Sequence, residues 1–268
     1  MSRGVFAAAL VVATLAALGF LVLPVVAIFT HVSPLTLASQ LTNPVVDDAL
    51  RVSAITSLEA QALVLLVGTP AAYLLARRRF RGRALLVALV ELPLVLPPAV
   101  AGIALFAAFG RTGLLGGTLD ALGLRIPLTQ TAVVLAIVFV SSPFYVRAAI
   151  AAFESVDGEL LDAARTLGAR PGRVFARVSL PLAAGGLAAG SSLAWARGLG
   201  EFGATLMFAG SLQGVTQTLP LAIYAELSAP NGYPVALAIG ALLVVVSLVV
   251  LAVVRLVPRW KLMELATA

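Results

Sequence analysis

The chain has 268 residues, of which 61% are hydrophobic and only 11% charged, against about 25% charged in soluble domains. That composition excludes a soluble globular enzyme and points to an integral membrane protein with several spans of about 20 residues each. The lack of cysteine excludes disulfides, thiolate metal sites and cysteine nucleophiles, and the formal charge of +6 must be sorted by position before it says anything about partners.

Six apolar segments follow in chain order: residues 5–29, 53–76, 84–109, 129–149, 182 to about 207, and 234–254. Each is long enough to cross a hydrocarbon layer of roughly 30 Å at 1.5 Å per residue. The first follows Arg3 but far exceeds the 7–15 residues of a signal-peptide core, and no small-x-small site ends it before Pro24, so it is expected to be a retained span. The connections 30–52, 110–128 and 209–233 carry turn residues and short amphipathic stretches. Among the cations, Arg3, Arg77, Arg78, Arg79, Arg81, Arg83, Arg147, Arg165, Arg170, Arg173, Arg177, Arg255, Arg259 and Lys261 fall on one side of the alternating spans, fourteen of eighteen. Arg51, Arg111 and Arg125 fall on the other, and Arg197 lies within a span. The positive-inside rule therefore predicts a multi-pass protein of the cytoplasmic membrane with both termini in the cytoplasm. The basic charge reports topology, so no nucleic-acid partner is implied.

Span three is interrupted by Pro93, Pro97 and Pro98, which free backbone groups that are tolerable only inside protein or along a water-lined path. A path through the membrane and a kink made for packing are equally good readings of these prolines. Glu91 sits two turns from the arginines that end at Arg83 and is expected to pair there, while Glu59, one or two turns into span two, is expected to face water. His31 is the only histidine and receives no role.

Between spans four and five lies a polar island, FESVDGELLDAARTL, residues 153–167. Leu160, Leu161, Ala164 and Leu167 make an apolar stripe on a helix, Glu154, Asp157, Glu159 and Asp162 crowd its early turns, and Gly168 supplies the stop. Taken alone, such a helix would rest on lipid headgroups. Span five contains the small-residue run AAGGLAAGSSLA, which predicts close helix packing, within the domain or at a dimer seam, and then Arg197 and Glu201 four residues apart on one face. A structural ion pair is the first reading of these two, and a gating role the second. Thr205 is expected one helical turn beyond Glu201, its hydroxyl bonded to its own helix or offered to a passing anion.

The island also holds a longer pattern: Asp162-Ala163-Ala164, three residues, Gly168, nine residues, Val178, one residue, Leu180-Pro181. It resembles the cytoplasmic signature of ATP-binding-cassette (ABC) importer permeases, Glu-Ala-Ala-x3-Gly-x9-Ile-x-Leu-Pro, in register at every fixed position, with Asp162 for Glu and Val178 for Ile. The resemblance implies an all-α, polytopic membrane protein with six transmembrane helices and the type I ABC importer permease fold. The whole of 1–268 would form one membrane domain, with a coupling loop at about 153–181. In that family the island docks on an ATPase subunit, a role carried here to Leu160, Leu161, Asp162, Ala163, Ala164, Leu167 and Gly168. The chain's only lysine, Lys261, precedes Leu262, so it has no phosphate-binding loop of its own. The chain is thus expected to be a transport subunit rather than an enzyme, to bind no cofactor, and to leave ATP and magnesium to its partner.

Three stretches, PLVLPPAVAGIALFAAFGRTGLLG (93–116), ARGLGEFGATLMFAG (196–210) and QGVTQTLPLAIY (213–224), are similar to the molybdate branch of the oxyanion importers. Sulfate permeases look similar around Glu201-Phe202-Gly203. The resemblance implies import of molybdate or tungstate by a homodimer of this chain with two ABC ATPase subunits and an extracytoplasmic oxyanion-binding protein, within the lipid bilayer. Pro97, Pro98, Arg197, Glu201 and Thr205 are the candidates for the translocation pathway. A sulfate importer is the alternative, and an ion-coupled secondary transporter a distant one, since no paired broken spans in two halves are visible.

Overall fold

The computed structural model describes residues 3–266. Of the expected 1–268 domain, residues 1, 2, 267 and 268 lie outside the described residues, as do the side chains of Arg3, Arg255, Arg259 and Lys261 that entered the charge count. Every regular element among the described residues is helical. In chain order they are α1 (Arg3–His31), α2 (Pro34–Gln40), α3 (Pro44–Arg77), α4 (Arg83–Val95), α5 (Pro98–Phe109), α6 (Gly116–Ala121), α7 (Gln130–Glu154), α8 (Gly158–Thr166), α9 (Pro171–Val174), a π-helical turn (Phe175–Ser179), α10 (Leu180–Leu199), α11 (Gly203–Ala209), α12 (Leu219–Leu227) and α13 (Tyr233–Ala266). Five continuous helices, counting α9 through α10 as one, are long and apolar enough to cross a membrane, and α4 with α5 makes a sixth, broken crossing.

Helix α7 is the axis of the molecule. Its buried face, from Ala132 to Phe153, is covered by α3 on one side and α10 on the other. The approach of α10 depends on the small-residue run: a Cβ on Gly186 would stand 2.5 Å from Ala152 Cβ, and one on Gly190 would stand 2.6 Å from Ala148 Cβ. The expected close packing is therefore internal, with α7 as its partner. Gln61 on α3 adds a polar tie, donating to the Ser191 hydroxyl at 2.7 Å and to the Ser191 carbonyl at 3.1 Å.

Three expectations about the spans are corrected. Span two begins nine residues earlier than its hydropathy indicates, because Asn43 caps α3, its side chain accepting from the Val45 N–H at 3.0 Å with Pro44 in the first turn. Span three is not one kinked helix: α4 and α5 meet at a bend of 118°. Pro93 is accommodated inside α4, but Pro97 and Pro98 each disfavour a helical residue before them, so Leu96 (ψ 130°) and Pro97 (ψ 136°) are both extended and α4 stops. The broken pair still links the two ends of α7, since Arg83 bonds Glu154 at 2.6 Å while Leu105 packs in one cluster with Val133 and Ile137.

The third correction concerns span five, which starts earlier and ends earlier than expected. Pro181, just outside the expected span, lies within a chain that is helical from Pro171 to Leu199. The π-helical turn before it explains this: the Leu180 N–H bonds the carbonyl of Phe175, five residues back, and the widened turn makes room for the proline ring. At the other end α10 stops at Leu199, and residues 200–202 turn the chain into α11. Thr205 is consequently on a different helix from Arg197. Glu91 also has a different partner from the one expected, pairing with Arg147 at 3.0 Å because Arg83 is taken by Glu154.

Candidate functional site

Two regions hold the residues singled out in the sequence. The first is the polar island. Helix α7 ends at Glu154, and Asp157 starts α8 by accepting from the Glu159 N–H at 2.9 Å, an N-cap that also puts a negative charge at the helix start. Gly168, at φ +82°, ends it with both bonds of a Schellman stop: Gly168 N–H to Arg165 O at 2.9 Å, and Ala169 N–H to Ala164 O at 3.0 Å. A Cβ at Gly168 would meet nothing within 4 Å, so within this chain glycine is needed for the backbone angle and not for space.

The structure divides the apolar stripe of α8 in two. Leu161, 3% exposed, and Ala164 pack inward on Phe153, Val174 and Phe175, whereas Leu160 is half-exposed and Leu167 is 89% exposed. Asp162 and Ala163 lie on the open face with them, Asp162 bonded to Arg165 at 2.7 Å. Beneath α8 three rings from three elements meet edge to face or tilted: Tyr73 with Phe175 at 4.7 Å, Tyr73 with Phe153 at 5.2 Å, and Phe153 with Phe175 at 6.2 Å. Arg77 closes the corner by donating Nη2 to the Val156 carbonyl at 2.9 Å. A force applied to the open face of α8 therefore reaches α3, α7 and the base of α10 through packed rings.

The second region lies where spans three and five break. Glu201 is 2% exposed and bridges the gap between α10 and α11. Its Oε2 takes Arg197 Nη2 at 2.7 Å and its Oε1 takes the Ala204 N–H at 2.8 Å, satisfying a donor in the first turn of α11. The ion pair expected from the spacing is present, and the carboxylate has a second task that spacing alone did not reveal. Arg197, with 30% of its side chain exposed, lines a cleft of about 140 Å³ together with Pro93, Pro98, Val140 and Phe144. Its guanidinium carries five N–H donors, more than one carboxylate can occupy. Pro97 supplies the extended backbone at the bend, and Pro98 opens α5. Thr205 is fully buried, and its hydroxyl has no hydrogen-bond partner among the described residues, in contrast to the helix-backbone bond expected for it. Sequence reasoning missed the buried hydroxyls Ser53, Thr56 and Thr218 near Glu201, of which Ser53 accepts from the Leu219 N–H at 2.8 Å. The signal for Thr218 was the polar run Thr216-Gln217-Thr218, and that for Ser53 and Thr56 was their spacing of three residues, which puts them on one face of α3.

Comparison with known proteins matches this arrangement. Residues 68–262 fit the family described as binding-protein-dependent transport system inner membrane component. The molybdenum transport system permease protein ModB of Mycobacterium tuberculosis is 47% identical over 239 residues, 89% of this chain and 90% of that protein. ModB of Escherichia coli K12 is 44% identical over 181 residues, covering 66% and 79%. The sulfate transport system permease protein CysW of Synechococcus elongatus is 36% identical over 196 residues, covering 72% and 68%. Among solved structures, a bacterial ABC transporter that imports alginate superposes with a TM-score of 0.73 at 17% identity over 96% of both chains, a likeness of fold. From its sequence match and its fold alike, this chain belongs to the inner membrane permease components of binding-protein-dependent ABC transport systems.

Proposed function

We propose that this chain is the membrane-spanning subunit of an ABC importer that carries molybdate, or tungstate, into the cytoplasm. The observation that carries the substrate class is the identity to molybdenum permeases, 47% over nine-tenths of the chain, against 36% over a shorter stretch for the sulfate permease. The geometry is consistent with it. A bare dianion in hydrocarbon is prohibitive by tens of kcal/mol, so it has to meet fixed positive charge in a polar cleft. Arg197 at the double break provides such a charge, balanced at rest by Glu201. Two copies of the chain facing each other would present two guanidinium groups to one dianion.

In this reading two ATPase subunits grip the open faces of α8, at Leu160, Asp162, Ala163 and Leu167, and a binding protein delivers the anion on the opposite side. The arginine distribution supports a cytoplasmic position for α8 and both termini. ATP and magnesium stay on the ATPase, whose closure draws the two handles together and opens the path outward; hydrolysis resets it. The test is ATPase activity of the reconstituted complex with binding protein and molybdate, tungstate or sulfate, with Gly168→Arg as control. Stimulation by molybdate or tungstate that disappears in Gly168→Arg is expected. Stimulation by sulfate alone would reassign the substrate, and an unaffected Gly168→Arg complex would overturn the docking role of α8.

A further inference from the structure

The ends of α3, α8 and α9 enclose a cleft of about 410 Å³ that neither the handle contact nor the anion path uses. Its floor is apolar, formed by Pro70, Tyr73 and Leu74, and its rim carries three guanidinium groups, those of Arg77, Arg78 and Arg165. No carboxylate is among the described residues that line it. Arg165 is neutralised by Asp162 at 2.7 Å. Arg77 gives Nη2 to a carbonyl, which leaves its charge uncompensated, and its Nε is buried without a hydrogen-bond partner among the described residues. Arg78 is exposed at the helix end. Arg77 and Arg78 make no ion pair among the described residues, so the rim presents net positive charge to an anion from outside this chain.

The position selects the anion. Leu74, half-exposed on α3, stands one turn before Arg78, so the cleft straddles the level at which the span leaves hydrocarbon. A soluble phosphate would use only the rim. A phospholipid would use both parts, its phosphate on the arginines and its upper acyl chain over Pro70, Tyr73 and Leu74. We propose that this cleft is a binding site for an anionic phospholipid of the leaflet that faces α8. The site bridges span two, through Arg77 and Arg78, to the handle itself, through Arg165. A lipid seated there stiffens the joint through which the handle moves the spans, so transport depends on the anionic fraction of the bilayer. The inference rests on the membrane reading of the chain and is independent of which anion is carried.

The experiment is native mass spectrometry of the whole permease–ATPase complex released from nanodiscs of phosphatidylcholine with graded phosphatidylglycerol. Phosphatidylglycerol is expected to be retained in preference to phosphatidylcholine, and Arg78→Gln, which removes no hydrogen bond within the chain, to weaken retention about fivefold. Leu74→Asp is expected to weaken it too, by spoiling the floor. Equal retention of the two lipids, or unchanged retention in a folded Arg78→Gln complex, would overturn the site. Displacement of phosphatidylglycerol by millimolar inorganic phosphate would overturn the lipid in favour of a soluble anion. Shielding of Arg78 from phenylglyoxal only when the ATPase is bound would overturn it in favour of that subunit.

Discussion

Gly203 lies against Pro98 so closely that a Cβ on the glycine would stand 2.8 Å from the proline Cβ. This contact joins the two breaks in the membrane domain, since Pro98 opens the second half of span three and Gly203 opens the short helix that follows span five. One turn along, a Cβ on Gly102 would stand 2.6 Å from Met207 Cβ, so α5 and α11 are in near-backbone contact. Gly203→Val is expected to force them apart at a cost of about 1–3 kcal/mol, the range for overpacked sites, and to lower the melting temperature of the purified permease. Because the same contact positions Glu201 and Arg197, transport should fall further than the loss of folded protein accounts for. ATP-driven uptake by the reconstituted complex, normalised to folded permease, measures the difference.

Glu201 serves two partners, and its variants separate them. Glu201→Gln keeps an oxygen for the Ala204 N–H but gives up the charge that balances Arg197. Glu201→Ala loses both, leaving one N–H and one partly buried guanidinium unmatched. Breaking fully buried pairs costs about 3–5 kcal/mol, and the partial exposure of Arg197 puts this pair below that range. The expected order of thermal stability is wild type, then Gln, then Ala. Arg197→Lys should keep most of the stability while raising the molybdate concentration needed for half-maximal ATPase stimulation, because a lysine lacks the planar fork that can hold two oxygens at once. An order with Gln below Ala would show that the cap on α11 contributes little.

What the sequence disclosed here was chemical, and what it withheld was the path of the backbone. The six apolar stretches, the island with its glycine stop, and the Arg197–Glu201 spacing were all readable because periodicity, charge and φ > 0 leave marks on single residues. The prolines of span three announced an interruption but not a bend of 118°, and the break after Leu199 left hydropathy unchanged, so span five read as continuous. The signal for the second break was Gly198, Gly200 and Gly203 in six residues. Span five also begins before residue 182, because at Pro181 a π-helical turn lets the helix run through a residue that normally ends one.

The division of the α8 stripe makes a further prediction, because neighbouring leucines have opposite surroundings. Leu161→Ala removes a buried side chain from the cluster around Phe153 and Phe175, and should destabilise the permease by about 2–4 kcal/mol with the ATPase absent. Leu167→Ala removes a side chain that touches little of its own chain and should leave stability unchanged within about 0.5 kcal/mol. Its effect should instead appear as weaker retention of the ATPase in pull-down and lower coupled turnover. Equal loss of stability in the two variants would mean that the whole stripe, and not its inner half, is packed on the spans.

The last prediction concerns the seam between α7 and α10. Gly190 faces the Ala148 Cβ at a distance no side chain can share, with Tyr145 beside it. Gly190→Ala adds a single methyl group, which Ala148 has to yield to by a small shift; Gly190→Leu adds three more carbons where α10 meets the central helix. Stability should fall stepwise from glycine to alanine to leucine, and the leucine variant should fail to accumulate in the membrane. The compensating change is specific: Ala148→Gly removes the atom that would be struck. The double variant Gly190→Ala with Ala148→Gly should recover most of the stability lost by Gly190→Ala alone, and a thermal-melt double-mutant cycle gives the coupling energy, expected at about 0.5–3 kcal/mol for residues in direct contact. A coupling near zero would mean that α10 does not rest on α7 at this pair.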